Sequence, residues 1–238
     1  HMGTDALYQS DAYLRVFDAT VVAVEGSAIA LDRTAFYATS GGQPHDTGTL
    51  QGDGATWQVV DVRRQGGLIW HMLEGEGMPA IGSPLHGRID WERRYRLMRT
   101  HTALHILCGV IWRDYQAPVT GGNMDVAEGR LDFEIGNFSH ELAAEIVTRV
   151  NAEVVAARPI EVQSLPRDEA FQIPDLIRTK INLLPEGISE VRIVNIVGLD
   201  LQADGGTHVA NTREVGTVTL LKTRSKGASN KRIVIGVE

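Results

Sequence analysis

Asp90-Trp-Glu-Arg-Arg-Tyr-Arg-Leu-Met-Arg-Thr-His101-Thr-Ala-Leu-His105 is the stretch at which the chain changes character. Through and beyond it, apolar residues recur at Leu97, Leu104, Cys108 and Ile111. That helical period predicts a helix from Trp91 to about Tyr115. His101 and His105 are four apart, so on a helix both imidazoles stand on one face, about one turn apart, and both can reach one ion. By itself the pair is a weak signal, for which ordinary core or surface histidines are the plainer account.

Upstream, residues 11–87 consist of short alternating segments broken by glycine. Ala19–Val24 and Ser27–Leu31 read as strands around Glu25-Gly26. Trp57–Arg63 and Leu68–Leu73 form a second pair around Gln65-Gly66-Gly67. Such strands suggest a small antiparallel barrel or sandwich. Pro84–Gly87 reads as a connection and Arg88–Asp90 as a strand end.

Downstream, a second helix is expected from Ser139 to Ala157. Ser139 would cap it, Glu141 and Glu145 lie near its positive end, and Pro159 stops it. Pro166–Ala170 suggests a short third helix. Strands are expected at Gly129–Glu134, Ile160–Ser164, Val191–Ile196, Val215–Thr223 and Arg232–Val237. The chain therefore reads as α+β: an N-terminal small antiparallel β-barrel domain, residues 3–87, followed by a two-layer α/β domain, residues 88–238.

The formal net charge of −7 weighs against a protein that simply coats nucleic acid. Local basic stretches remain: Arg93, Arg94, Arg96 and Arg99 crowd one, and Lys222, Arg224, Lys226, Lys231 and Arg232 lie in another that holds no acid. Either is compatible with plain solvated surface. No apolar run approaches the roughly 18–20 residues of a membrane helix, and the start lacks the features of a signal peptide. His1 before Met2 looks like a cloning scar. A single cysteine, Cys108, makes no internal disulfide, which points to a reducing, cytoplasmic location.

The second chemical element is Asp204-Gly-Gly-Thr-His208. Its glycines allow a tight fold that turns Asp204 and His208 toward one point; a polar hairpin loop is the plainer alternative. Together with His101 and His105 it supplies three histidines and a carboxylate, a set that suits zinc. Cys108 shares the helical stripe of His101, but seven residues rise roughly 10 Å, too far for one ion on a straight helix. A buried structural cysteine is expected. The third element, Phe36-Tyr-Ala-Thr-Ser-Gly41-Gly42-Gln43-Pro-His45-Asp46-Thr-Gly48, reads as a loop between barrel strands or as a close backbone approach to a ligand. A metal site at His45 and Asp46 lacks a visible third ligand.

In combination these stretches resemble the editing region of alanyl-tRNA synthetases and their freestanding AlaX-type relatives. Phe36 to Gly48 resembles the family's FYxxSGGQxxDTG segment. Asp90 to His105 resembles the run into its HxxxH zinc pair, and Asp204-Gly-Gly-Thr-His208-Val its CGGTHV segment. Lys226-Gly to Arg232-Ile resembles the stretch before its last strand. The order of the four matches covers almost the whole chain, and at 238 residues there is no room for an aminoacylation domain as well.

The resemblance implies a second-additional-domain fold for the C-terminal part and hydrolysis of the ester between a wrong amino acid, serine or glycine, and tRNA(Ala). It implies Zn2+ held by His101, His105, Asp204 and His208, which are also the catalytic centre. Two positions depart from the family pattern. Asp204, a harder ligand that weakens the preference for zinc, stands where the family has cysteine. Val119-Thr120-Gly121-Gly122-Asn123 stands in the loop where the synthetases have a glutamine; Thr120, then Asn123, are the expected partners of a serine hydroxyl. Gly41 and Gly42 are expected to help select and seat the substrate. Arg93, Arg94, Arg96, Lys226 and Arg232 are expected to meet tRNA phosphates. A monomer without membrane contact is expected. The alternatives are a metal-stabilised tRNA-binding module weakened in catalysis and a metallohydrolase of another small ester.

Overall fold

Residues 84–89 run exposed, buried, exposed, buried along their whole length, as a strand must when one face is in water and the other in a core. The computed structural model describes residues 3–174, 189–227 and 230–238. The chain divides into two compact units, residues 1–95 and 96–238. That division falls just inside the first helix, whereas the sequence pattern changes at 87/88.

The strands of the first unit are β1 (Asp5–Ala6), β2 (Val16–Glu25), β3 (Ala28–Leu31), β4 (Arg33–Thr34), β5 (Gly48–Gly52), β6 (Ala55–Gln65), β7 (Leu68–Glu74) and β8 (Pro84–Ile89). Six of them, in the order β2, β3, β7, β6, β5, β8, close into an antiparallel barrel. Closure leaves no sheet edge open to a stray strand. The two-residue link Gly66-Gly67, with φ of 62° and 80°, makes the left-handed turn that a tight hairpin between twisted strands needs. Phe17, Ile29, Leu31, Phe36, Leu50, Val59 and Ile69 fill the interior. Pro84–Gly87, expected as a connection, belongs to β8. Proline is tolerated there because it is the strand's first residue.

α1 (Trp91–Tyr115) begins in the first unit and continues into the second, with the bounds the sequence predicts. The second unit adds β9 (Val119–Met124), β10 (Glu128–Glu134), α2 (His140–Val155), β11 (Ile160–Pro166), α3 (Arg167–Ala170), β12 (Glu190–Ile196), β13 (Asp200–Ala203), β14 (Val218–Lys226) and β15 (Asn230–Val237). They form a four-stranded sheet, β14-β15-β10-β9, and a three-stranded sheet, β11-β12-β13, every pairing antiparallel. Ser139 caps α2 as expected, its Oγ accepting the N–H of Leu142 at 3.0 Å. The segment Val119–Asn123, expected as a loop, is instead the edge strand β9.

Two glycines let α1 lie close to both sheets. A Cβ on Gly129 of β10 would come within 2.9 Å of the Leu104 side chain, and one on Gly109 of α1 within 2.9 Å of Leu199. Real side chains do not approach so closely, so the helix and its histidines are held between the layers by missing atoms. Among the described residues no helix is long and apolar enough to cross a membrane.

Candidate metal centre

α1 carries His101 and His105 to the same place, with ring centroids 4.9 Å apart. His208 joins them, 4.2 Å from His101 and 4.5 Å from His105. Asp204 closes the group: Oδ1 lies 3.6 Å from His101 Nε2 and 3.7 Å from His105 Nε2, and Oδ2 lies 2.7 Å from His208 Nε2. One ligand atom from each of the four lies within 4.8 Å of all the others. Bonds to zinc of about 2.0–2.2 Å put neighbouring tetrahedral donors roughly 3.4 Å apart. The cluster therefore has to tighten by on the order of an ångström at its widest, and its donors suit a first-row divalent ion. The three histidines are 7%, 8% and 4% exposed.

The strand before the turn explains the convergence. Side chains two apart share a face, so β13 sends Asp200 and Gln202 toward one side, and Asp204 follows directly after the strand's last residue. The turn is tied to β12: Arg192 Nη1 donates to the carbonyls of Asp204 at 2.9 Å and Gly206 at 2.8 Å. The backbone N–H of Asp204 donates to the Arg192 carbonyl at 3.0 Å, and that of Gly206 to Asp204 Oδ2 at 3.1 Å. Thr102, next to His101 on α1, has its hydroxyl 3.0 Å from His208 Nδ1 and accepts the N–H of Val209 at 3.2 Å.

Protonation follows from burial and neighbours. Burial pushes His101 down to about 4, with His105 and Arg192 adding to the effect against the pull of Asp204. His208 is lowered well below its ordinary value, by burial first and then by the other two histidines. For His105 burial works against the charge, but Asp204 and Asp200 outweigh it and raise it to about 10. Asp204 is held well below the carboxylate range: burial opposes its charge, and the histidines around it prevail. Of the three rings, His105 is thus the one whose surroundings favour a proton, and His101 and His208 the two whose surroundings oppose it.

Two family models match the chain: class II tRNA synthetases (A) over residues 11–93 and the threonyl and alanyl tRNA synthetase second additional domain over residues 191–234. The second match includes Asp204 and His208. The alanyl-tRNA editing protein AlaX-M of Saccharolobus solfataricus is 38% identical over 237 residues, covering 99% of both chains. That of Methanosarcina barkeri is 40% identical over 236 residues, covering 97% of both. The chain belongs to the alanyl-tRNA editing protein family. The alanine–tRNA ligase of Pyrobaculum aerophilum is 39% identical over 92% of this chain and only 25% of the ligase, so the family's fold also forms part of a larger enzyme.

The other expected residues have partners or exposures of their own. Gly41 and Gly42, with φ of 56° and 86°, form a turn closed by paired backbone bonds between Ser40 and Gln43. Asp46 of that segment is no metal ligand: Arg94 and the N–H of Tyr37 occupy its carboxylate. Arg94 itself is fully buried, which removes it as a phosphate contact. Arg93 Nε donates to the carbonyl of His45 at 3.0 Å, and Arg96 is exposed. Arg232 is forked onto Asp132, Nε to Oδ1 at 2.7 Å and Nη2 to Oδ2 at 3.0 Å. The side chain of Lys226 lies outside the described residues. Thr120 is exposed on β9 and donates to Asn230 Oδ1 at 2.8 Å. Asn123 is also exposed on β9, with its Oδ1 taking the N–H of Met124. Cys108 is buried and accepts from Gln202 Nε2 at 3.3 Å.

Thr102, Arg192 and Asp200 lie beside the ligands without belonging to either sequence motif. The alternation Asp200-x-Gln202-x-Asp204 is the one signal that pointed to any of them.

Proposed function

We propose that the protein deacylates tRNA(Ala) mischarged with serine or glycine, using Zn2+ held by His101, His105, Asp204 and His208. The observation that carries this reading is the buried convergence of three imidazoles and one carboxylate in a chain that spans nearly the whole of curated alanyl-tRNA editing proteins. Its place of work would be the cytoplasm.

The ion would supply Lewis acidity that polarises the ester carbonyl. The chain's own residues do the rest. The Arg192 guanidinium and the two glycines hold Asp204 and His208 in one turn. Burial keeps the His101 and His208 rings neutral, so each offers a lone pair. Four protein ligands would close the shell of a bound zinc, the pattern of structural sites. Asp204 is therefore assigned as the ligand that loosens: its side chain keeps 19% exposure, while that of His208 keeps 1%.

For selection, Thr120 comes first and Asn123 second as partners of the serine hydroxyl. A site built around a hydroxyl rejects a substrate lacking it by roughly ten-thousandfold. Gly41 and Gly42 would help seat the acceptor end. Arg93, Arg96, Lys226 and Arg232 would contact phosphates, with Arg96 the freest of the described ones and Arg232 partly neutralised by Asp132.

The test is incubation of Ser-, Gly- and Ala-charged tRNA(Ala) with the protein, with and without chelator. Chelator-sensitive loss of serine with alanine spared is the expected result, and loss of glycine as well would show that the site selects by size rather than by the hydroxyl. Binding without turnover would leave a tRNA-binding module, and indifference to tRNA a hydrolase of another ester.

A further inference from the structure

We propose that Asp200 is a positioning residue for the metal centre: it holds the His105 ring through Nδ1 so that Nε2 is presented to the ion. This rests on the reading of His101, His105, Asp204 and His208 as a metal site.

His105 is 8% exposed, and its two nitrogens face two different carboxylates. Nε2 lies 3.7 Å from Asp204 Oδ1. Nδ1, across the ring, lies 3.7 Å from Asp200 Oδ2, and it is enclosed without a hydrogen-bond partner among the described residues. Buried polar atoms are nearly always paired. An unpaired ring nitrogen just beyond bonding range of a carboxylate marks a bond made in another state of the site. Loading is that state: a metal-bound histidine almost always donates its remaining N–H to a carboxylate, a carbonyl or water.

Asp200 is built for this role. Its side chain has no solvent exposure, and the amide of Gln202 donates to the same Oδ2 at 2.8 Å. Gln202 is two residues along β13 and so shares its face. Gly109, one turn after His105 on α1, provides the space: a Cβ there would lie 3.0 Å from Asp200 Cβ. A side chain at that position would push the carboxylate away from the imidazole. With Asp200 accepting from Nδ1, the proton is fixed on that nitrogen and the lone pair on Nε2.

Asp200→Asn keeps the size and removes the anion. Zinc affinity measured by chelator competition is expected to fall about 10–100-fold. The absorption spectrum of the cobalt(II)-loaded protein should change with it, and the gap in Tm between zinc-loaded and metal-free protein should narrow. A merely structural role would lower both Tm values together and leave the cobalt spectrum alone. Gln202→Leu, which frees the carboxylate without removing it, is expected to weaken zinc by a smaller factor and covers the case in which the first variant does not fold. Unchanged zinc affinity and cobalt spectrum in the variants that fold would overturn the proposal while leaving the metal site intact. Failure of the unmutated protein to bind zinc would instead overturn the reading of the site itself.

Discussion

Arg94 and Asp46 form an ion pair from which water is excluded on both sides. The guanidinium Nε donates to both carboxylate oxygens at 3.0 Å, and the other nitrogens reach the carbonyls of Ala12 and Ala35. The N–H of Tyr37 also donates to Asp46, at 2.7 Å. The first turn of α1 and the glycine-rich segment are thus one enclosed network. Removing one partner leaves the other charge buried alone, which costs about 3–5 kcal/mol. Arg94→Met is expected to lose that much in denaturant unfolding. Arg94→Lys, which cannot reproduce the fork, should also destabilise the fold yet leave the salt dependence of tRNA binding unchanged. A shallower salt slope in the lysine variant would return Arg94 to the phosphate contacts.

The site without metal should release one proton when it loads. His105 is raised to about 10, while His101 falls to about 4 and His208 is lowered. At neutral pH one imidazolium therefore has to deprotonate before all three rings can bind. Zinc affinity is expected to rise with pH between about 7 and 10. For the metal-free fold the sign is opposite. A folded value above the unfolded value of about 6.5 contributes stability that is complete below that value and is lost as pH rises through about 10. Calorimetric titration with zinc in buffers of different ionisation enthalpy reads the proton count directly, and a count of zero would refute the assignment.

Asp204 decides between a closed and a working centre. If it is the loosening ligand, Asp204→Ala should retain zinc on three histidines, more weakly, and lose deacylation by at least about tenfold. Asp204→Cys supplies the softer thiolate and should bind zinc more tightly than the natural protein. Turnover on Ser-tRNA(Ala), together with zinc content, checks both variants. Intact deacylation in the alanine variant would remove Asp204 from the reaction.

The features legible in the sequence were the local ones. Helical period bounded α1 correctly, glycine turns marked the barrel hairpins, and the spacings of His101 with His105 and of Asp204 with His208 each describe a single turn of chain. What escaped depends on partners far along the chain. Arg94 reads as a surface cation because Asp46 is 48 residues away. Arg232 reads as free because Asp132 reaches it only through the register of β10 with β15. Asp200 reads as an ordinary strand residue until Gly109 brings α1 against it. β9 reads as a loop in sequence because Gly121 and Gly122 have little strand preference of their own; pairing with β10 overrides it.

Thr102 should matter as much to zinc as a ligand's neighbour can. Its oxygen accepts the Val209 N–H and faces His208 Nδ1 at 3.0 Å. A hydroxyl can donate to that nitrogen or accept from it. Loading requires His208 Nε2 to be bare, so the ring proton moves to Nδ1 and the Thr102 oxygen becomes its acceptor. Thr102→Val keeps the shape and leaves two buried N–H groups without that acceptor, at about 1–3 kcal/mol each. Zinc affinity is expected to fall about 10–100-fold, and Thr102→Ser should stay near the natural value. Equal affinity in the valine and serine variants would show that packing, not the hydroxyl, orients His208.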